Sequence, residues 1–195
     1  MGGASTVERA GDRGVSLIEV LVALVLIVPG VIGAAGLITM AARSARDARL
    51  ESIGVMLAAQ KLEQLRALEW NADDAGNGPI VSDVTTDLTR DPPAPGGIGL
   101  SQSPAGALDS NVPGFVDYLD VSGRWVGTGG APPPTAAFIR RWAVTPLPAD
   151  PANSLVLQVL VTNVARAAQV VPHPAPRRRL PREALLVTVR TRTSR

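Results

Sequence analysis

Residues 20–42 carry no charged side chain, and one carboxylate, Glu19, stands immediately before them. Those 23 residues, at about 1.5 Å each, make a helix of roughly 34 Å, enough to cross the ~30 Å hydrocarbon core of a bilayer. A cleaved secretory signal has an apolar core of only about 7–15 residues, so this run reads as a retained span. A carboxylate in a span costs up to about 3 kcal/mol at the bilayer centre and usually faces a partner or a water-filled path. What Glu19 pairs with is the question this chain poses.

The flanks give a weak orientation signal. Arg9 and Arg13 precede the run but are offset by Glu8 and Asp12, whereas Arg43, Arg46 and Arg49 follow it. Taken alone, the positive-inside rule leans against a cytoplasmic N-terminus. Within the run, Pro29, Gly30, Gly33 and Gly36 are poor helix formers. Two readings fit them: ordinary close packing of membrane helices, or a segment that bends or partly melts when subunits pack.

The residues around Glu19 carry a resemblance. Gly14-Val15-Ser16-Leu17-Ile18-Glu19-Val20-Leu21-Val22-Ala23-Leu24 resembles the type III signal sequence of type IV pilins and of the pseudopilins of type II secretion. In that family a hydrophilic leader ends in Gly and is cut by an inner-membrane prepilin peptidase. The new N-terminal residue is then N-methylated, and a Glu four positions on serves assembly. The resemblance implies cleavage between Gly14 and Val15, methylation of Val15, and an assembly role for Glu19. It also implies a cytoplasmic leader, a single-pass inner-membrane precursor with its C-terminal domain outside the cytoplasm, and a pilus or pseudopilus as destination. Two departures are visible: Val15 stands where the family usually has Phe or Met, and the leader is less basic than usual.

The same resemblance offers a partner for Glu19. Cleavage would free an amine at Val15 that could lie beside Glu19 of a neighbouring subunit. At an effective dielectric of ~20, unit charges 4 Å apart attract by about 4 kcal/mol, which exceeds the insertion cost of the carboxylate. The alternative for Glu19 is a side chain that snorkels to the headgroups.

Helical signal continues through "ARSARDARLESIGVMLAAQKLEQLRALEW" to Trp70. At 100° per residue, Leu50, Ile53, Leu57, Leu65 and Leu68 share one face, with Ala58 and Leu62 at its edge, and plain core packing is expected of these leucines. Lys61 falls inside this apolar stripe and is its exception. The stretch 57–66 also resembles the corresponding helix of minor pilins of the pilus-modification type and of one minor pseudopilin. One helix from Ser16 to Trp70 would run about 80 Å.

Beyond Trp70 the pattern changes. Most of the 19 Gly and 17 Pro lie there, and residues 71–114 read as long loops with one short strand near 80–84. Four apolar runs follow: "FVDYLDV" from Phe115, "AAFIRRWAV" from Ala136, "LVLQVLVT" from Leu155 and "ALLVTVRTR" from Ala184. In the third, Leu155, Leu157, Val159 and Val161 alternate onto one face, and "PLPADPANS" before it has turn composition, so these strands predict an antiparallel hairpin. Aromatics are scarce, so the core must be mainly Val, Leu, Ile and Ala. The expected fold class is α+β, a long N-terminal helix packed through its C-terminal half on a small antiparallel sheet, as the pilin resemblance also implies. The expected segments are 1–14 (leader), 15–42 (membrane or filament-core helix), 43–70 (amphipathic continuation), 71–114 (Gly/Pro-rich loops) and 115–195 (sheet domain).

Residues for catalysis or ligand binding are sparse. With no Cys and a single His, His173, neither a usual zinc site nor a conventional triad can be assembled. "GTGG" at 127–130 lacks the following Lys-Ser/Thr of a phosphate loop and reads as a flexible loop. Asn71, Asp73, Asp74 and Asn77 do not have EF-hand spacing. Arg177, Arg178 and Arg179, near Arg182, lack an aromatic stacking platform, and the net charge is only +2, so no nucleic-acid partner is expected. The expectation is a non-enzymatic minor pilin-like structural subunit with no cofactor and no metal. Its partners would be the prepilin peptidase/methyltransferase, other pilin or pseudopilin subunits, the inner-membrane assembly platform and the lipid bilayer. The alternatives are a minor pseudopilin of a type II secretion system and, from another class, a membrane-anchored extracytoplasmic binding module.

Overall fold

A computed structural model describes residues 16–71, 81–167 and 183–192. They divide into two compact units, one ending at Arg46 and the other beginning at Asp47. The layout is α+β, with one long apolar N-terminal helix and a separate antiparallel sheet domain.

Helix α1 (Leu17–Ala67) supplies the whole described part of the first unit apart from Ser16. Pro29 lies inside it, where proline removes one backbone hydrogen bond. Thr39, the only hydroxyl in the run, returns its Oγ1 proton to the carbonyls of Ala35 (3.0 Å) and Gly36 (2.8 Å), so it brings no unpaired polar group to an apolar surface. Every residue from 16 to 46 is exposed.

The second unit is built around a five-stranded antiparallel sheet. Two small ribbons come first in the chain: β1 (Trp70–Asn71) with β2 (Val81–Ser82), and β3 (Thr86–Asp87) with β4 (Ala94–Pro95). The main sheet uses β5 (Val116–Leu119), β6 (Trp125–Gly127), β7 (Phe138–Pro146), β8 (Ser154–Asn163) and β9 (Ala184–Thr191) in the order β6-β5-β7-β8-β9. A single-turn helix, α2 (Val164–Ala167), follows β8. The hairpin read across 146–154 is present, with β7 and β8 paired from Phe138↔Asn163 to Pro146↔Leu155.

The core lies between the sheet and the part of α1 beyond Asp47. Leu57, Ala58 and Leu65 of α1 and Leu68 just beyond it cluster with Phe138, Trp142 and Val144 of β7 and with the alternating Leu155, Leu157, Val159 and Val161 of β8. Each buried Leu, Val or Phe among them contributes about 1.5–3 kcal/mol. Gly54 allows a close approach of α1 to the sheet: a Cβ there would lie 3.3 Å from Ala184 Cβ on β9. Val116, Tyr118 and Ile139 form a second cluster.

Several expectations need correction. Helix α1 ends at Ala67 rather than Trp70, because Trp70 is buried as the first residue of β1 and pairs with Ser82. Arg190 Nη1 donates to the Leu65 carbonyl (3.3 Å) in that last turn, and burial lowers the pKa of its guanidinium, with Arg66 adding to the effect. Leu50, expected in the core, is 39% exposed, since it lies a turn before the close contact at Gly54. The strand expected from Phe115 stops at Leu119 because Asp120 turns the chain into β6, its Oδ1 accepting from the Ser122 and Arg124 amides (both 2.9 Å). Strands β1, β3, β4 and β6, of two or three residues each, lie outside the strands that the sequence pattern predicts.

Candidate functional site

Among the described residues, charge stands in apolar surroundings at the start of α1 and inside the sheet unit. The first is the start of α1. Ser16 precedes the helix and its carbonyl accepts from the amides of Glu19 (2.9 Å) and Val20 (3.2 Å). Glu19 thus stands in the first turn, where a carboxylate is favoured by the helix dipole. Its side chain is exposed, and no described residue of its own chain pairs with it. Ser16-Leu17-Ile18-Glu19 also has the spacing of a capping box, in which Glu reaches back to the amide of the cap residue.

From Val20 to Ala42 the helix is apolar on all sides. Fifteen large apolar side chains from Leu17 to Met40 are exposed, Leu17 at 83% and Met40 at 72%. At about 1.5–3 kcal/mol for each side chain transferred out of water, the surface carries a driving force of tens of kcal/mol toward lipid or protein cover. The helix is long and apolar enough to cross a membrane, and its most apolar stretch is covered by no described residue of its own chain. Gly30, Gly33 and Gly36 face open space.

The second place is a buried triad in the sheet unit. Lys61 of α1, Asp117 of β5 and Arg140 of β7 are all fully buried. Lys61 Nζ lies 2.8 Å from Asp117 Oδ2, donates to the Leu88 carbonyl, and sits 4.3 Å above the Trp142 ring. Arg140 grips the same carboxylate with both arms, Nε to Oδ1 at 2.9 Å and Nη2 to Oδ2 at 2.8 Å. Its Nη1 donates to Leu57 O (3.2 Å) and Gln60 Oε1 (3.3 Å), and Gln60 in turn donates to Asp91 (3.0 Å). Two cations share one buried carboxylate. Burial pushes the Lys61 ammonium down to about 8; Asp117 opposes this shift and Arg140 reinforces it.

The triad solves the puzzle of a lysine inside an apolar stripe, which sequence reasoning left as an exception. Its partners had a signal: Asp117 is the first charge in the apolar run from Phe115, and Arg140 shares a strand face with Phe138, Trp142 and Val144. Isolated charges at core positions require opposite partners. The triad presents no open, substrate-accessible group, so it reads as structure rather than catalysis.

The loop at 127–130, expected to be flexible, is tied to the sheet. Thr128 Oγ1 donates to Val116 O (2.7 Å), Tyr118 Oη to Gly129 O (2.6 Å) and Asn111 Nδ2 to Gly130 O (2.9 Å). Gly14 and Val15 lie outside the described residues, as do His173, the 177–179 arginines, Asp73, Asp74 and Asn77. Among the described residues no group of three or more His, Asp or Glu is placed to hold a metal ion.

No protein-family model, curated protein or solved structure matches this chain.

Proposed function

We propose that this chain is a minor pilin-like structural subunit, made as a single-pass membrane precursor, cut between Gly14 and Val15, methylated at Val15, and assembled through its N-terminal helix into a pilus-type filament. The observation that carries this reading is the uncovered apolar helix with the lone carboxylate Glu19 in its first turn. Such a surface needs lipid before assembly and neighbouring helices afterwards. In the filament the freed Val15 amine of one subunit neutralises Glu19 of the next, so proteolysis switches assembly on. The sheet domain rides outside the membrane as the presented part. A minor pseudopilin of a type II secretion system would use the same residues in the same way.

Mass spectrometry of the mature N-terminus tests the proposal. The expected chain begins at Val15 and is heavier by one methyl group. A membrane-bound chain that retains Met1, or one cut beyond Ala42, overturns it.

A further inference from the structure

The uncharged run of α1 ends at Ala42, and Arg43 and Arg46 follow it. Both lie in the first unit, both are exposed, and no described residue pairs with either guanidinium. The adjacent carboxylate, Asp47, belongs to the second unit and faces Arg166 at 3.5 Å. Residues three apart on a helix stand about 5–6 Å from each other on one face, so both cations can serve a single acceptor. Depth decides what that acceptor is. The run of about 34 Å fills the ~30 Å hydrocarbon core, and each headgroup layer beyond it is about 5–7 Å thick. Arg46 lies about 4.5 Å past Arg43 along the axis, so both fall within that layer. Their apolar stems stay beside the acyl chains while the guanidinium groups reach outward to the phosphates.

We propose, resting on the reading of α1 as a membrane span, that Arg43 and Arg46 form a binding site for the headgroup of an anionic phospholipid. A guanidinium grips phosphate through two parallel hydrogen bonds. Zwitterionic headgroups offer the same phosphate but carry a cation that cancels its field. Each cation beside an anionic leaflet strengthens the attraction by roughly fivefold, so the pair selects lipid by charge. The subunit is thereby held at the arginine end of its span, and withdrawal into an assembly has to break this contact. Either leaflet satisfies the site, provided it contains anionic lipid.

Native mass spectrometry of the full chain in detergent, with equimolar phosphatidylglycerol and phosphatidylcholine added, tests the site. The wild type should retain phosphatidylglycerol in preference by roughly tenfold or more at low salt, and by less at high salt. Arg43→Gln with Arg46→Gln keeps the helix propensity and should reduce that preference by roughly tenfold. Arg43→Lys with Arg46→Lys keeps both charges and should retain most of it. Arg124→Gln, at a side chain 83% exposed in the sheet unit, should change nothing. An unchanged preference in the double glutamine variant would overturn the proposal. Displacement of the lipid by an equal concentration of inorganic phosphate would also overturn it, because the site would then take a free anion. So would loss of a dimer in that variant without loss of lipid, which marks a second copy as the partner. Flotation with vesicles of pure phosphatidylcholine follows membrane binding separately. A chain that does not float refutes the span and the site together, whereas one that floats without any phosphatidylglycerol preference refutes the site alone.

Discussion

Arg140 and Asp117 face each other across β7 and β5 as directly paired residues, and the guanidinium engages both carboxylate oxygens at 2.8–2.9 Å in a fully buried site. The pair is neutral by itself, and Lys61 adds a second positive charge. This imbalance predicts unequal mutants. Asp117→Asn leaves two buried cations without an anion and should cost about 3–5 kcal/mol, whereas Lys61→Met removes the excess charge and should cost little or even stabilise. Urea unfolding of the full chain in detergent, comparing midpoints at equal slope, checks the order. Equal losses would contradict it.

The pH dependence of stability should carry the mark of Lys61. Its pKa is 10.5 unfolded and about 8 folded, so between these values the unfolded chain holds a proton that the folded chain has released. Stability therefore rises with pH across this window. Below about pH 8 the cost of burying the ammonium is fully present, and relieving it is worth about 3 kcal/mol over the whole interval. Tyr118 opposes the trend at its upper end, because burial raises its pKa above the ordinary 10.0 and its folded form keeps the proton longer. The clean measurement is a series of unfolding midpoints between pH 8 and 10. The expected slope is positive in the wild type and lost in Lys61→Met.

Much of this architecture was legible because it rests on period and length. The uncharged run after Glu19 required a helix wanting external cover, and the alternation of Leu155, Leu157, Val159 and Val161 specified the inner face of β8. The hairpin followed from the turn residues between two apolar strands. The triad was only half legible. Lys61 was visible as an intruder in its stripe, but Asp117 lies 56 positions away, and strand pairing brings it and Arg140 to the same spot. Short strands such as β3 and β4 carried no periodic signal, since two residues cannot display one. Their geometry depends instead on backbone closure within the loops, which composition marks only as rich in Gly and Pro.

That closure is specific enough to test. Gly99 has φ +54°, and a Cβ on it would lie 1.0 Å from the carbonyl oxygen of Asp83, so no side chain fits without opening the loop beside buried Leu100. Gly96 also has positive φ, +93°, but a Cβ there meets nothing within 4 Å. Gly99→Ala should cost about 3 kcal/mol or more through the backbone clash. Gly96→Ala should cost only the left-handed backbone penalty, about 1–2 kcal/mol. Thermal unfolding of the two variants side by side measures the difference, and similar losses would refute a clash at Gly99.

Glu19 admits two physical roles, and one substitution separates them. As the N3 residue of the Ser16-Leu17-Ile18-Glu19 box it can cap the helix start through its side-chain oxygen, a task glutamine performs equally well. As the counter-charge for a neighbour's Val15 amine it must be ionised, which glutamine is not. Glu19→Gln thus preserves the cap and deletes the charge, while Glu19→Ala deletes both. If the charge is what assembly uses, both variants lose polymer to a similar extent, and losing an attraction of about 4 kcal/mol would lower the pairing constant by roughly a thousandfold. If the cap is what matters, Glu19→Gln polymerises normally and only the alanine variant fails. Sedimentation of sheared filaments, with processing of the precursor followed separately, distinguishes the two. Normal polymer yield from Glu19→Gln would leave the carboxylate a helix-end residue and remove the electrostatic basis for a proteolytic switch.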